Sequence, residues 1–267
     1  MDAAEFLGLT RTETPMRWAM PITTGIATRG HFMFGGCGLG AAVAAMEHEC
    51  GRPVVWATAQ YLSFAMIDDT LDLDVKIAVE GRMTSQARAV GHVGDREILT
   101  VNAALGSKPI DFDEQWLTMP QVPEPDDCPL RSELIDDASS IMSRFDMRLA
   151  LGTSWDALDG TPAPGGKSAM WVQMPDVDMS AAAIAILGDY VPFGISQALG
   201  DWTPSNSLDN TIRVHRLVPT DWVLCDVRID SVSAGFGHGS VYLWAQDGTL
   251  LATASQSAVI HKPRADT

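Results

Sequence analysis

The amino-acid sequence predicts an α+β protein made of two tandem copies of one unit, each an antiparallel sheet wrapped around a central helix. Strand-like runs fill residues 54–105 and return at 207–260, and an Ala/Gly-rich helical segment precedes each set. A proline-rich, acidic stretch without usable periodicity separates the two halves. We therefore predict a first domain over residues 1–107, a linker over 108–138 and a second domain over 139–267.

Composition narrows the class of protein before any motif is considered. The 267 residues are 46% hydrophobic and 19% charged, which is ordinary for a globular chain. With 18 Lys and Arg against 34 Asp and Glu, the net charge of −16 argues against nucleic acid or an anionic membrane as the main partner. No apolar run approaches the ~18 residues of a membrane span, and no secretory signal is visible. Four scattered cysteines without a CxxC pair predict reduced thiols in the cytoplasm.

The first half contains the predicted central helix, within GHFMFGGCGLGAAVAAMEHECGRP at residues 30–53. Leu39, Val43 and Met46 recur at helical spacing, and Gly51 followed by arginine and proline predicts the end of the helix. Four strand-like runs with turn residues between them come next. They predict a meander of four antiparallel strands.

The strand-like runs of the two halves can be laid over each other. The matching segments are 60–77 with 211–229 and 94–105 with 246–257. In the run LDLDVKIAVEG (71–81), which begins within the first segment and continues past it, alternate residues predict one buried face: Val75, Ile77 and Val79. Before the second set of strands come a predicted hairpin over 145–174 and a second apolar helix over 181–200. Two such copies predict a fused pseudo-dimer whose sheets join edge to edge, with chance similarity between two meanders as the alternative.

A small-residue helix inside an antiparallel sheet, duplicated in tandem, resembles the hotdog fold, and more closely the double-hotdog type II acyl-CoA thioesterases (the TesB-like family). The segments that carry the resemblance are FGGCGLGAAVAAME (34–47), SAMWVQM (168–174), LGDYVPFGISQALG (187–200), SLDNTIRVHR (207–216) and QDGTLLATASQSAVI (246–260). They stand in the family's order and span nearly the whole chain outside the linker. The resemblance implies hydrolysis of fatty acyl-CoA to free fatty acid and coenzyme A by activated water, without a cofactor, in a homodimer or larger assembly.

The same resemblance implies three catalytic residues: Asp189 on the second helix, Ser207 before the second set of strands and Gln256 on the last strand. The set is chemically complete, because a carboxylate can take a proton from water while a hydroxyl and an amide fix its orientation. Each residue also has a structural alternative. Asp189 could cap the turn at Pro192, Ser207 could be an ordinary turn residue, and Gln256 could face outward from its strand.

The two halves differ at these positions. In the alignment of the halves, Ser207 falls opposite Trp56 and Gln256 falls opposite Ala104. The first half therefore lacks the polar set, and a purely structural role would not need such asymmetry. We predict one active site per chain, with scaffold from the first half and side chains from the second.

The start of the first helix is the predicted oxyanion site. The N–H groups around Gly36 and Cys37 would lie at the positive end of a helix, with N–H groups near Asp189 as the alternative. Residues 36–41 also satisfy the dinucleotide fingerprint GxGxxG/A, but antiparallel strands follow where that fingerprint requires a βαβ unit. Cys37 could be a nucleophile, yet no His with a clear orienting role lies near it in sequence.

Other chemistries find little support in the sequence. The serine-hydrolase motif GxSxG is absent and the six His show no metal-ligand spacing, so no metal and no cofactor are predicted. A hotdog hydratase would need an Asp and a His close together on one loop, and no such pair stands out. Arg213, His215 and Arg216 face either solvent or the phosphates of coenzyme A. A non-catalytic acyl-CoA or lipid-binding protein on the same fold is the alternative to a thioesterase.

Overall fold

The computed structural model describes residues 1–131, 140–175 and 177–261. Residues 132–138 of the predicted linker lie outside the described residues, as do residues 139, 176 and 262–267 of the predicted second domain. The helices are α1 at Ala3–Leu7, α2 at Gly35–Cys50, α3 at Ala181–Leu187 and α4 at Val191–Leu199. The strands of the first half are β1 at Thr10–Arg11, β2 at Arg17–Pro21, β3 at Val54–Tyr61, β4 at Thr70–Glu80, β5 at Thr84–Val93 and β6 at Arg96–Gly106. Those of the second half are β7 at Asp146–Leu151, β8 at Lys167–Gln173, β9 at Ser205–Ser207, β10 at Asp209–Val214, β11 at Val223–Ser233, β12 at Phe236–Ala245 and β13 at Leu250–Ile260.

Across the described residues the strands form one thirteen-stranded antiparallel sheet that contains both halves. Its order is β1-β2-β4-β5-β6-β3-β10-β13-β12-β11-β8-β7, and β9 pairs with β13. The second half therefore repeats the strand order of the first in reverse, across the pairing of β3 with β10. This confirms the predicted α+β fold class and the edge-to-edge joint, which leaves neither β3 nor β10 as an exposed edge.

Two details of the first half differ from the prediction. Strand β3 pairs with β6 and β10 and not with β4, so only β4, β5 and β6 run as a meander. Alternation identifies a strand without identifying its neighbours, which depend on contacts distant in sequence. In β4 a bulge falls between Ile77 and Val79. The predicted alternation stops there, and Val79 is 56% exposed instead of buried.

The helices α2 and α3 pack directly against each other inside the sheet. A Cβ at Gly40 in α2 would lie only 2.9 Å from the carbonyl oxygen of Ala182 in α3, so this contact requires glycine. Both helices are rich in buried alanine, and such small side chains allow two helix backbones to approach closely. As a result, the buried apolar residues of the two halves form one contiguous core.

The second apolar segment is two helices and not the single helix predicted over 181–200. Helix α3 ends at Leu187, three residues follow, and α4 begins at Val191 with proline in its first turn. Pro192 has no N–H to donate and its ring clashes with the carbonyl four residues earlier, so a continuous helix is interrupted. The stretch Ala181–Leu199 is long and apolar enough to cross a membrane by length and composition, but 83% of it is buried inside the protein. It therefore serves as the central core segment of the second half.

The described part of the predicted linker packs along the second half. Gln115 Oε1 accepts a hydrogen bond of 2.7 Å from the Leu250 N–H, and Trp171 Nε1 donates one of 2.9 Å to the carbonyl of Pro123. The Arg131 N–H then donates to the carbonyl of Met147 in β7. The proline-rich segment is thus held against the outer surface of the sheet, while the domain boundaries at 107 and 138 stay a prediction.

Candidate active site

A cavity of about 400 Å³ opens where the two halves meet. Its walls come from the loop before α2 and the end of β3 in the first half. The second half contributes the start of α4 and the chain leading into β9. The polar side chains in its lining include Asp189, Ser207, Tyr61 and Arg131. The volume falls in the usual range for a small-molecule site.

Asp189 lies in the break between α3 and α4, and both of its carboxylate oxygens are hydrogen bonded. Oδ2 accepts the Gly36 N–H of α2 at 2.7 Å. Oδ1 accepts the Ser207 hydroxyl at 3.3 Å and the amide N–H of Gln256. The three residues that the sequence predicted as a catalytic set therefore meet at one carboxylate. The partners of Asp189 come from other elements, so its carboxylate is not a local cap for Pro192.

The orientation of the Gln256 amide is set by the start of α4. Gln256 is only 3% exposed, so it faces inward from β13, and its Oε1 accepts the Val191 N–H at 3.1 Å. The amide nitrogen must then point toward Asp189, and it also donates to Ser207 Oγ at 3.0 Å. Because β9 pairs with β13, Ser207 is held beside Gln256 by the sheet. Three separate elements thus converge on one network.

Burial makes the Asp189 carboxyl unusually basic. Desolvation raises its pKa to about 6, and the hydrogen bonds from Gln256, Gly36 and Ser207 only partly oppose that rise. At neutral pH the group is ionised and close to its pKa. A carboxylate in that state can accept a proton from water, as general-base catalysis requires.

Tyr61 is a polar group of the site that the sequence analysis missed. A Cβ at Gly35 would lie 2.8 Å from Asp189 Oδ2 and 3.2 Å from Tyr61 Oη, so the carboxylate and the phenol both crowd the same glycine. The Tyr61 hydroxyl is buried, and the side chain of Asn210 on β10 interacts with it. Burial raises its pKa well above the usual value, and the charge of Asp189 adds to the shift, so the hydroxyl stays protonated. No sequence motif marks Tyr61, because only the joint between β3 and β10 brings it here.

The two N–H groups predicted for an oxyanion require a correction. The Gly36 N–H donates to Asp189, and the Cys37 N–H donates to the carbonyl of Phe34 at 3.0 Å. Neither N–H is therefore available to a further oxygen in this arrangement. The Cys37 side chain is fully buried, and desolvation raises its pKa well above the ordinary value. The thiol is consequently protonated and poorly suited to act as a nucleophile.

Comparison with known proteins adds an independent result. The family model described as "Acyl-CoA thioesterase C-terminal domain" matches residues 125–260. A protein from Novosphingobium aromaticivorans classed as a thioesterase is 33% identical, with a TM-score of 0.85 over 95% of this chain and 98% of that one. The chain belongs to the acyl-CoA thioesterase family.

Two further structures share the fold at lower identity. An acyl-CoA thioesterase II, TesB2, from Mycobacterium marinum is 18% identical with a TM-score of 0.76, and covers 98% of this chain and 99% of that one. A hotdog-fold protein of unknown function from Alicyclobacillus acidocaldarius is 19% identical with a TM-score of 0.84, and covers 98% of each chain. A comparison with curated protein sequences returns no match.

The basic residues proposed for coenzyme A do not line the cavity of this acyl-CoA thioesterase family member. Arg216 forms an ion pair with Asp113 of the linker, and His215 Nε2 lies 3.4 Å from Thr253 Oγ1. Arg213 is exposed on β10, between Trp56 and Thr253 in the sheet register. The prediction of Arg213, His215 and Arg216 as a coenzyme A site is therefore not supported by their positions. The cavity lining instead includes Arg29, which the sequence analysis did not single out.

Proposed function

We propose that this protein hydrolyses the thioester bond of an acyl-CoA, releasing the free acid and coenzyme A, with water as the nucleophile. The observation that carries the proposal is the convergence of Asp189, Ser207 and Gln256 on one buried carboxylate in the cavity. Membership of the acyl-CoA thioesterase family supports the same reaction. A fatty acyl group is the substrate class that the family resemblance implies.

In the proposed mechanism, a water molecule enters between Asp189 Oδ1 and its two donors, so that the water donates to the carboxylate and accepts the hydrogen bonds that Ser207 and Gln256 otherwise direct at Oδ1. Asp189 takes one proton as the water oxygen attacks the thioester carbonyl carbon. The carbon–sulfur bond of the tetrahedral intermediate then breaks, and the coenzyme A thiolate leaves with the electron pair of that bond. The proton held by Asp189 returns to the sulfur or to solvent. The bond from the Gly36 N–H to Oδ2 keeps the other carboxylate oxygen directed at the water.

Two donors beside Asp189 are suited to the developing oxyanion. Gly35 is the first residue of the 16-residue helix α2, so its N–H has no partner within the helix. The protonated Tyr61 hydroxyl lies close to Gly35 as well. We assign the oxyanion to these two groups in place of Gly36 and Cys37. A helix start and a buried hydroxyl both favour negative charge at this position.

The first test follows release of free thiol from a panel of acyl-CoAs, comparing wild type with Asp189→Asn. We expect a loss of about a hundredfold or more in kcat/KM, because the amide cannot accept the proton. Asp226→Asn is the matched control, since Asp226 is also buried but lies on β11 outside the cavity lining. Equal activity in wild type and Asp189→Asn would remove Asp189 from the mechanism. Binding of acyl-CoA without thiol release by wild type would favour the non-catalytic binding protein instead.

We also propose a cytoplasmic location, a role in lipid metabolism and a homodimer or larger assembly. The four cysteines are free thiols, three of them buried, which is consistent with a reducing compartment. Phe112 and Trp116 are each 89% exposed, and such large apolar side chains are suited to contact with a second subunit. Sedimentation of the purified protein tests the assembly directly.

A further inference from the structure

Arg131 lines the same cavity as Asp189, and the part of the chain that the structure describes supplies no anionic partner for its guanidinium. Arg131 donates from Nη1 to the sulfur atoms of Met147 at 3.4 Å and Met170 at 3.3 Å, which are weak acceptors. Its Nε is buried and has no hydrogen-bond partner. Among residues 1–131, 140–175 and 177–261, no carboxylate forms an ion pair with it. Burying a guanidinium in this way is costly unless an anion is supplied from elsewhere.

Two aromatic rings lie beside the Arg131 guanidinium, and one of them supplies a second hydrogen-bond donor without a partner among the described residues. The guanidinium carbon lies 4.7 Å from the ring centre of Phe193 and 5.5 Å from that of Trp155. The indole Nε1 of Trp155 is also buried without a hydrogen-bond partner. Arg131, Trp155 and Phe193 all line the same cavity. Two donors and an apolar wall thus meet at one place, which is the composition of a site for a carboxylate on an apolar chain.

Tyr190 connects this cluster to the catalytic network. It follows Asp189 in the chain, and its hydroxyl contacts the Met147 sulfur at 3.6 Å, the same atom that Arg131 contacts. The guanidinium and the carboxylate proposed to activate water therefore belong to one cavity and are linked through Met147 and Tyr190. Because the cavity that both residues line is only about 400 Å³, an acyl group whose thioester lies at Asp189 extends within the same enclosure as Arg131.

We propose that Arg131 and Trp155 bind a carboxylate at the far end of the acyl group, so that the preferred substrates are ω-carboxyacyl thioesters of coenzyme A. This inference rests on the proposed thioesterase function and narrows its substrate class from fatty acyl groups to acyl groups of dicarboxylic acids. The phosphates of coenzyme A are the other available anions. We assign them to the exposed part of the cavity lining, because a guanidinium in contact with methionine and aromatic side chains suits a single small carboxylate.

The test compares substrate pairs of equal length, such as glutaryl-CoA with pentanoyl-CoA, in wild type and Arg131→Met. We expect wild type to favour the ω-carboxyacyl ester, and the ratio of the two kcat/KM values to fall by about 30-fold in the variant, the effect of one charge-assisted hydrogen bond. Arg131→Lys should recover part of the ratio, because it keeps the charge. Arg148→Met is the control: Arg148 also lies over a tryptophan, Trp222, but outside the cavity lining, and its ratio should equal that of wild type.

Two further measurements separate the possible failures. Thioesters of N-acetylcysteamine carry no phosphate, so a fall in the ratio with these esters supports a contact with the acyl carboxylate. Arg131→Met could instead lower kcat/KM by the same factor for every coenzyme A ester and leave kcat/KM of the N-acetylcysteamine esters unchanged. That result would show that Arg131 binds a phosphate of coenzyme A, and the inference would be overturned. A wild type that cleaves pentanoyl-CoA faster than glutaryl-CoA overturns the inference and leaves the proposed hydrolysis intact. Tighter binding of glutaryl-CoA than pentanoyl-CoA, lost in Arg131→Met and without any thiol release, would support the carboxylate site while removing the proposed reaction.

Discussion

At the scale of single residues, the buried carboxyl of Asp189 lowers the stability of the fold, and its proposed function explains why it is there. It is 5% exposed, and its pKa is raised to about 6 by desolvation, even though three donors surround it. A more stable solution would place a neutral side chain at this position. Retaining an ionisable carboxyl beside an open cavity is typical of an acid or base used in catalysis.

Activity should follow the ionisation of this carboxyl. We expect kcat/KM of wild type to fall tenfold for each pH unit below about 6 and to level off above it, because only the carboxylate accepts the proton. Initial rates of thiol release between pH 4.5 and 8 measure this profile. A profile without a break between pH 5 and 7 would contradict the assignment of Asp189 as the base.

The same pKa can be checked through stability. Because the folded-state pKa lies above the ordinary 3.8, the stabilising effect of protonated Asp189 is full below pH 3.8 and is lost as the pH rises through about 6. Relative to Asp189→Asn, wild type should therefore lose about 2 kcal/mol of unfolding free energy between pH 4 and 7. Denaturant unfolding of both proteins across that range supplies the comparison.

At the scale of elements, the packing of α2 on α3 positions the Gly36 N–H that holds the Asp189 carboxylate. Gly40→Ala tests this contact. Helix propensity alone would make alanine more stable by about 1 kcal/mol. A Cβ at Gly40 would instead meet the backbone oxygen of Ala182 and the side chain of Ile186 at 2.9 Å, so we expect a net loss of about 1–3 kcal/mol in unfolding free energy. Denaturant unfolding of wild type and Gly40→Ala shows whether the unfolding free energy falls or rises. A rise would show that α2 and α3 can move apart without loss of stability.

The helices and strands of the structure also show which sequence patterns predict secondary structure correctly. Helix α2 and the strands β3 to β6 agree with the predicted segments, because spacing and alternation are properties of the local chain. Strands β1 and β2 were not predicted; they are two and five residues long, too short for alternation to be visible. The break at Asp189 was hidden inside an apolar run with helical composition, although Pro192 marked its position.

At the scale of the whole molecule, the two halves should unfold together. They share one core and one sheet, joined by the pairing of β3 with β10. Ile212 is fully buried at this joint, opposite Ala57. We expect Ile212→Ala to cost about 2–5 kcal/mol and to lower the protection of both β5 and β12 amides by the same factor in hydrogen exchange. Wild-type protection of β5 alongside weakened β12 would show that the halves are independent.

The sequence by itself determined the repeated pattern of helix and strands, the fold class and the identity of the polar set Asp189, Ser207 and Gln256. Spacing, alternation and the asymmetry between the halves are contained in the order of residues, and the family resemblance supplied the roles. The tertiary structure decided which groups surround that set. It directed the Gly36 N–H at Asp189, placed Arg213, His215 and Arg216 outside the cavity, and put Tyr61, Arg131 and Trp155 inside it. Such contacts join residues up to 153 positions apart in the chain, and they depend on how the sheet joins and where the helices cross, which local patterns do not encode.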